Sequence, residues 1–297
     1  MQRKLSRLEE RSFLLFILPA FSLYVVFWMF PIVITAPFSL ISWNGVGSWT
    51  TAKFVGLNNY LKILSDKTFY IALTHNFQYM LVTMIAIPTI AFFLALFVEK
   101  IIKNKSFFRT SLFIPIVLPL LLVTLMFKYV YHFDYGLVNC FLHGIGLSNL
   151  ATDWLGNKAT AFGALMVISV WKNTPFTMVI LLASMQDVSR DLEEASLLDG
   201  CSFWKSVYHV IIPQILPVLV VAVGLVIIDA FRVFDLIYMT TEGGPGFSTT
   251  EVLGTYIYKA GFTNMRMGYA AAISMVNIVI VMIVSGIYLT INRKIDQ

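Results

Sequence analysis

The chain has 297 residues, of which 58% are hydrophobic and only 12% charged, with a mean hydropathy of +0.80. A water-soluble globular domain carries roughly a quarter charged residues, so this composition excludes one and points to an integral membrane protein. The net charge of +5 follows from where the basic residues sit about the membrane and gives no reason to invoke nucleic acid.

A helix needs about 20 apolar residues to cross a hydrocarbon core. Six runs qualify, at about 13–37, 71–98, 110–131, 160–184, 214–240 and 269–291. Segments of about 10 residues alternating apolar and polar, the mark of a membrane barrel, are absent. The reading is an all-α polytopic bundle of six transmembrane helices (13–291), with short tails at 1–12 and 292–297. No long linker, repeat or low-complexity run divides it, so one domain is expected.

The first span runs through Phe27-Trp28-Met29-Phe30-Pro31 without an A-x-A cleavage site, so an uncleaved helix is expected. Next comes an external segment, Ser42 to Tyr70, with a turn at Trp43-Asn44-Gly45 and a short interfacial helix from Asn58-Asn59-Tyr60. A second external segment, Tyr129 to Ala159, turns at Asp134-Tyr135-Gly136 and Asp153-Trp154-Leu155-Gly156; a third, Glu242 to Gly268, opens at Gly243-Gly244-Pro245-Gly246. Pro19, Pro31, Pro37, Pro88, Pro115 and Pro119 are expected to bend or end helices.

Twelve basic residues fall on one side of these spans: Arg3, Lys4, Arg7, Arg11, Lys100, Lys103, Lys105, Arg109, Arg190, Lys205, Arg293 and Lys294. Six fall on the other: Lys53, Lys62, Lys67, Lys158, Lys259 and Arg266. The positive-inside rule therefore places both termini in the cytoplasm. Cys140 and Cys201 fall on opposite sides and should not pair. Cys140-x2-His143 lacks a second ligand pair, and no G-x-S-x-G, H-E-x-x-H or G-x4-G-K-[ST] occurs. No metal site, enzyme activity or ATP hydrolysis is expected of the chain itself.

The cytoplasmic turn at 187–213 is the most patterned segment. Asp187-Val188-Ser189-Arg190-Asp191 reads as a helix start, with Asp191, Glu193 and Glu194 near its positive end. Gly200 can end that helix, and a second is expected from Ser202, its apolar stripe Phe203, Trp204, Val207, Val210 and Ile211, until Pro213 stops it. The result is a compact acidic knob set between membrane spans.

These residues carry a resemblance. Glu194-Ala195-Ser196-x-x-Asp199-Gly200-Cys201, with Pro213 fourteen residues after the Asp, resembles the EAA coupling motif of permease subunits of binding-protein-dependent ABC importers. Ser196 and Cys201 stand where that family usually has alanine. Phe54-Val55-Gly56-Leu57-x-Asn59-Tyr60, Arg109-Thr110-x-x-Phe113-x-Pro115-x-x-x-Pro119, Trp154-Leu155-Gly156, Trp171-Lys172-x-x-Pro175-Phe176, Gly243-Gly244-Pro245 and Gly268-Tyr269-Ala270-Ala271-Ala272 are similar to its carbohydrate-uptake branch, the likeness running from about residue 10 to 291. The resemblance implies a type I importer permease in a bacterial or archaeal cell membrane. A second permease subunit, two ATP-binding subunits that carry the ATP and magnesium, and an extracytoplasmic solute-binding protein would be its partners. It further implies that the knob docks in an ATPase cleft, with Glu194 facing a basic residue there and Gly200 allowing a close fit.

Ionisable side chains in spans normally face the bundle or a wet cavity. Asp229, Arg232 and Asp235, at i, i+3 and i+6, are expected along one face of the fifth span. Trp171, Lys172 and Asn173 offer a ring for a pyranose face and groups for its hydroxyls. Tyr238, Asn277 and Ser274 are further candidates, each also suited to bonding a neighbouring helix. A structural ion pair among the charged three is the competing reading. Transport of glycerol phosphate or another polyol is the alternative substrate class; a secondary transporter would need an internal repeat that is not seen.

Overall fold

The computed structural model describes residues 16–292 apart from 245 and 247. The expected tail 1–12 and residues 293–297 of the expected tail 292–297, with their six basic residues, and Pro245 lie outside the described residues. Two compact units emerge, one comprising the chain up to Asp66 with Ile257–Ile278, the other Lys67–Tyr256 with the chain from Val279.

In the first unit, α1 (Phe16–Ser39) is apolar on every side and exposes that surface. Its 24 residues extend about 36 Å, enough to span. A wide π turn at Val25–Met29, where the Phe30 N–H reaches back to the Val25 carbonyl, directly precedes Pro31. The widened turn moves carbonyls away from a ring that would otherwise crowd the one four residues back. After α1, β1 (Ile41–Ser42) pairs antiparallel with β2 (Lys53–Phe54), Ile41 opposite Phe54.

Asn44 accepts from the Val46 N–H and Gly45 adopts φ +86°, forming the expected turn. The expected short helix is α2 (Asn58–Leu64). Its leucines are exposed, while buried Asn59 donates to the carbonyls of Ser39 (2.9 Å) and Ile41 (3.0 Å), tying α2 to the end of α1. Gly268 serves the same unit by closeness: a Cβ there would stand 2.0 Å from the Ile41 carbonyl oxygen. Beside it the Tyr269 hydroxyl donates to Asp66 (2.5 Å).

The second unit is a bundle of α3 (Lys67–Lys100), α4 (Lys105–Val117), α5 (Leu120–Val130), α6 (Leu137–Gly144), α7 (Ala161–Gln186), α8 (Arg190–Leu198), α9 (Phe203–Arg232) and α10 (Asp235–Thr241). Helix α11 (Leu253–Tyr258) and α12 (Met267–Asn292) each run through both units. The Trp154 indole donates to Asn139 (2.8 Å), whose amide in turn donates to the carbonyls of Phe133 and Thr152, so Trp154-Leu155-Gly156 organises the second external segment.

Two apolar clusters fill the second unit. One gathers Tyr79, Phe127, Leu165, Ile168, Phe231 and Ile237; the other Ala91, Leu96, Met178, Leu181, Ile211 and Ile215. Along α7, a stretch containing Ser169, Lys172, Asn173 and Thr174 lies between them.

Three expectations about helix continuity are corrected. The third span is two helices, α4 and α5, bent by 94°. Pro119 has no N–H for the Pro115 carbonyl, and it drives the preceding Leu118 into extended backbone (φ −64°, ψ 131°). Counted as one bent span, this pair brings the long apolar helices among the described residues to six.

The fifth span ends at Arg232 and restarts at Asp235, so Asp229, Arg232 and Asp235 do not share one helix face. Pro213 does not stop a helix: α9 runs unbroken from Phe203 to Arg232. A π turn at Val207–Ile211, closed by the Ile212 N–H on the Val207 carbonyl, precedes this proline as one precedes Pro31.

Candidate functional site

The knob is built from α8 and the first turns of α9. Helix α8 begins after Ser189, in extended backbone, with Asp191 and Glu193 in its first turn where the dipole favours them. It closes with the Gly200 N–H on the Leu197 carbonyl (3.0 Å) and the Cys201 N–H on the Ser196 carbonyl (3.0 Å), with Gly200 at φ +80°. This is the Schellman ending, and it requires a residue comfortable in the left-handed region. No atom lies within 4 Å of a Cβ placed on Gly200, so conformation and not internal packing demands the glycine.

Two ties fix the knob to the bundle. The Lys100 ammonium, at the end of α3, meets both carboxylate oxygens of Glu193 at 2.6 Å. The buried Ser196 hydroxyl lies 2.8 Å from the Ser206 hydroxyl and also reaches the Glu193 carbonyl (2.7 Å). Serine at 196, in place of alanine, is therefore matched by a serine on the neighbouring helix.

Val207 and Ile211 are buried as the stripe predicts, but Phe203 and Trp204 are exposed, together with Leu192, Leu197, Leu198 and Tyr208. Glu194, Ala195, Asp199 and Gly200 are exposed beside them, and Glu194 makes no ion pair among the described residues. The knob thus presents a carboxylate amid an apolar patch, a pattern suited to a protein partner.

The second feature is an open cavity of about 400 Å³ in the second unit. Lys172, Asn173, Asp229, Arg232 and Asp235 line it together with Tyr79, Thr83, Ser169 and Phe234. The break in the fifth span brings Asp235 to the same wall as Asp229, and Arg232 acts electrostatically on Asp229. The Tyr79 hydroxyl donates to Ser169 (2.5 Å), and the Asn173 amide donates to the same oxygen (3.1 Å).

Sequence reasoning missed Tyr79, Ser169 and, behind them, Asn76. Fully buried Asn76 donates to the Ala230 carbonyl (2.9 Å), which the break leaves without its helical partner, and accepts from the Leu253 N–H (2.7 Å). Asn76, Tyr79 and Thr83 recur at helical spacing, as do Ser169 and Asn173, which was the available signal.

Trp171 is not on this wall. It meets Phe127 edge-on (5.3 Å) and lines a separate apolar groove with Val82, Ile114 and Pro175. Tyr238 stacks on Phe234 (5.2 Å). Asn277 and Ser274 lie on α12 in the first unit, half-buried, and Ser274 bonds the Ala270 carbonyl. The Lys172 ammonium is engaged by carbonyls of Pro115, Ile116 and Leu118 at the α4–α5 corner.

The model of the family described as "binding-protein-dependent transport system inner membrane component" matches residues 72–297. The chain belongs to this family. The permease is therefore a multi-pass membrane transport subunit and not an enzyme. It is 35% identical over 273 residues to the probable ABC transporter permease protein YurN of Bacillus subtilis, covering 91% of this chain and 92% of that protein. It is also 35% identical over 294 residues to the trehalose/maltose transport system permease protein MalF of Thermococcus litoralis, with 98% and 96% covered. The sulfoquinovosyl glycerol transport permease SmoG of Agrobacterium fabrum is 32% identical over 278 residues, covering 93% and 87%.

Among solved structures, a chain of a bacterial ABC transporter that imports the acidic polysaccharide alginate superposes with a TM-score of 0.85 at 19% identity, over 99% of the permease and 100% of that chain. The permease thus has the type I importer fold.

Proposed function

We propose that this permease forms half of the pathway of an ATP-driven importer for a neutral oligosaccharide delivered by an extracytoplasmic binding protein. The observation that carries the reading is the cavity. It offers carboxylates, an amide and hydroxyls to a polyhydroxylated ligand, with Tyr79 and Phe234 as aromatic walls. Its charges are balanced: Asp229 and Asp235 flank Arg232 in sequence, and the Lys172 ammonium is engaged by backbone. Such a lining gives a phosphate or sulfonate no surplus cation. Support also comes from relatives named for trehalose/maltose, multiple sugars and arabinooligosaccharides.

In this reading the knob, both termini and two ATP-binding subunits are cytoplasmic. Nucleotide and magnesium sit on those subunits, and a second permease completes the pathway. Closure of the ATPase pair moves the knob and tips the helices between inward-open and outward-open states. Glu194 pairs with a basic group of the ATPase cleft.

The test is reconstitution of the permease with these partners in liposomes. ATP hydrolysis is measured with binding protein loaded from a panel of maltose, trehalose, arabinooligosaccharide, sulfoquinovosyl glycerol and glycerol phosphate. Stimulation by neutral sugars, abolished by Glu194→Lys, is expected. Stimulation only by the anionic members would overturn the neutral assignment; hydrolysis blind to every binding protein would overturn the sugar reading.

A further inference from the structure

The membrane-embedded bundle contains two breaks, at Leu118–Pro119 and at Val233–Phe234, and both abut the cavity, through Leu120 on one side and Val233 and Phe234 on the other. A helix end at membrane depth leaves carbonyls without helical partners, which must be met by other protein groups or by water in a cavity. At the first break the need follows from sequence. Pro119 cannot donate to the Pro115 carbonyl, and the chain turns by 94° before later amides can serve the carbonyls of Ile116 and Leu118.

The Lys172 ammonium has three protons. It donates to Leu118 at 2.8 Å, to Pro115 at 3.3 Å and to Ile116 at 3.4 Å. Its charge also lies at the C-terminal end of α4, where the helix dipole favours a cation.

The two breaks share one apolar cluster. Val123 and Phe127 of α5, and Leu236 and Ile237 of α10, belong to it, with Leu118, Leu120 and Val233 packed against it. Helices α5 and α10 pack on each other. A shift of the α4–α5 corner therefore moves the segment that carries Asp235.

We propose that Lys172 is a positioning residue that latches the α4–α5 corner and, through α5 on α10, sets the second break at Val233–Phe234, so that both walls of the cavity are held by one side chain. Lys172 acts on the pathway through the backbone it caps and does not touch the transported molecule in this state.

The test uses Lys172→Met, Lys172→Gln and Lys172→Arg in the full chain in lipid nanodiscs, read by amide hydrogen exchange in peptides covering 113–123 and 231–238. In the Met variant, exchange is expected to accelerate at least tenfold in both peptides; in the Arg variant, which keeps a cation with several donors, it stays within twofold of the unaltered chain. This readout needs no transported ligand, so it stands apart from the sugar assignment. Unchanged exchange in both peptides would overturn the latch. Acceleration confined to 113–123 would overturn the link between the breaks. Should the Met variant fail to accumulate, the Gln variant, with two amide donors, carries the same comparison at an expected threefold or more, and a flat profile there is equally fatal. In the assembled transporter, Lys172→Met is expected to lower maximal MgATP hydrolysis at least fivefold at unchanged KM for MgATP, with Lys172→Arg restoring it; an unchanged maximal rate would overturn the positioning role.

Discussion

Replacing Asn76 by leucine tests how the fifth span stays broken. The side chain is fully buried, and its amide holds two backbone groups that have no helical partner, the Ala230 carbonyl at 2.9 Å and the Leu253 N–H at 2.7 Å. Leucine is close in volume, so the change removes hydrogen bonds with little loss of packing. Each backbone group left buried and unmet costs about 1–3 kcal/mol. Polar contacts between membrane helices average nearer 0.6 kcal/mol where another partner can be found. Taking the lower part of the first range for both groups gives about 3 kcal/mol, or roughly 150-fold in the equilibrium between held and released loop. In a chain of 297 residues that is a fall of about 5 °C in the unfolding midpoint. The assay is thermal unfolding in detergent beside hydrogen exchange at Leu253. A midpoint within a degree of the unaltered protein, with Leu253 equally protected, would refute the argument that Asn76 holds the break.

Other expectations follow from the knob and the first unit. Gly200→Val places a β-branched residue at φ +80°, at a strain of about 1–2 kcal/mol. With open space around it the chain should still insert, while stimulated ATP hydrolysis is lost; full stimulation would remove the case for a knob of fixed shape. Ser196→Ala and Ser206→Ala should each destabilise by about 1 kcal/mol but not add, since either removes the shared 2.8 Å bond; additive unfolding shifts would show that the pair is not coupled. Gly268→Ala is expected to be costly, because its Cβ would lie 2.0 Å from the Ile41 carbonyl. A variant accumulating in the membrane at normal levels with unchanged unfolding would show that this close approach is not needed.

How far the sequence could be read depends on whether a feature is local. The spans were legible because bilayer thickness imposes a length on every one of them, and Gly200 because a left-handed helix ending demands a particular residue. The α4–α5 corner was half-legible: Pro115 and Pro119 marked a weakness, but the carbonyls there are met by Lys172, more than fifty positions away. The break after Arg232 carries no proline or glycine of its own. It is maintained by Asn76 and by close packing of Gly254 against the Val233 carbonyl, where an added Cβ would stand at 2.7 Å. Neither signal is visible at residues 229–235. Trp171 was misplaced for a related reason: its neighbours Ser169, Lys172 and Asn173 reach the cavity, but one residue along a helix turns the side chain by about 100°, onto the Phe127 side.

The Ser196–Ser206 bond joins α8 of the knob to the start of α9, Lys100–Glu193 joins it to the end of α3, and α9 is unbroken as far as Arg232. From Phe203 to Asp229 that helix measures about 39 Å, so a tilt of about 10° about the knob swings the far end by about 7 Å. That travel is more than twice the length of a hydrogen bond. No bond from a fixed neighbour to Ala230 could survive it by bending. Helix α9 is thus a lever: contacts around its outer end must be exchanged for another set or travel with it.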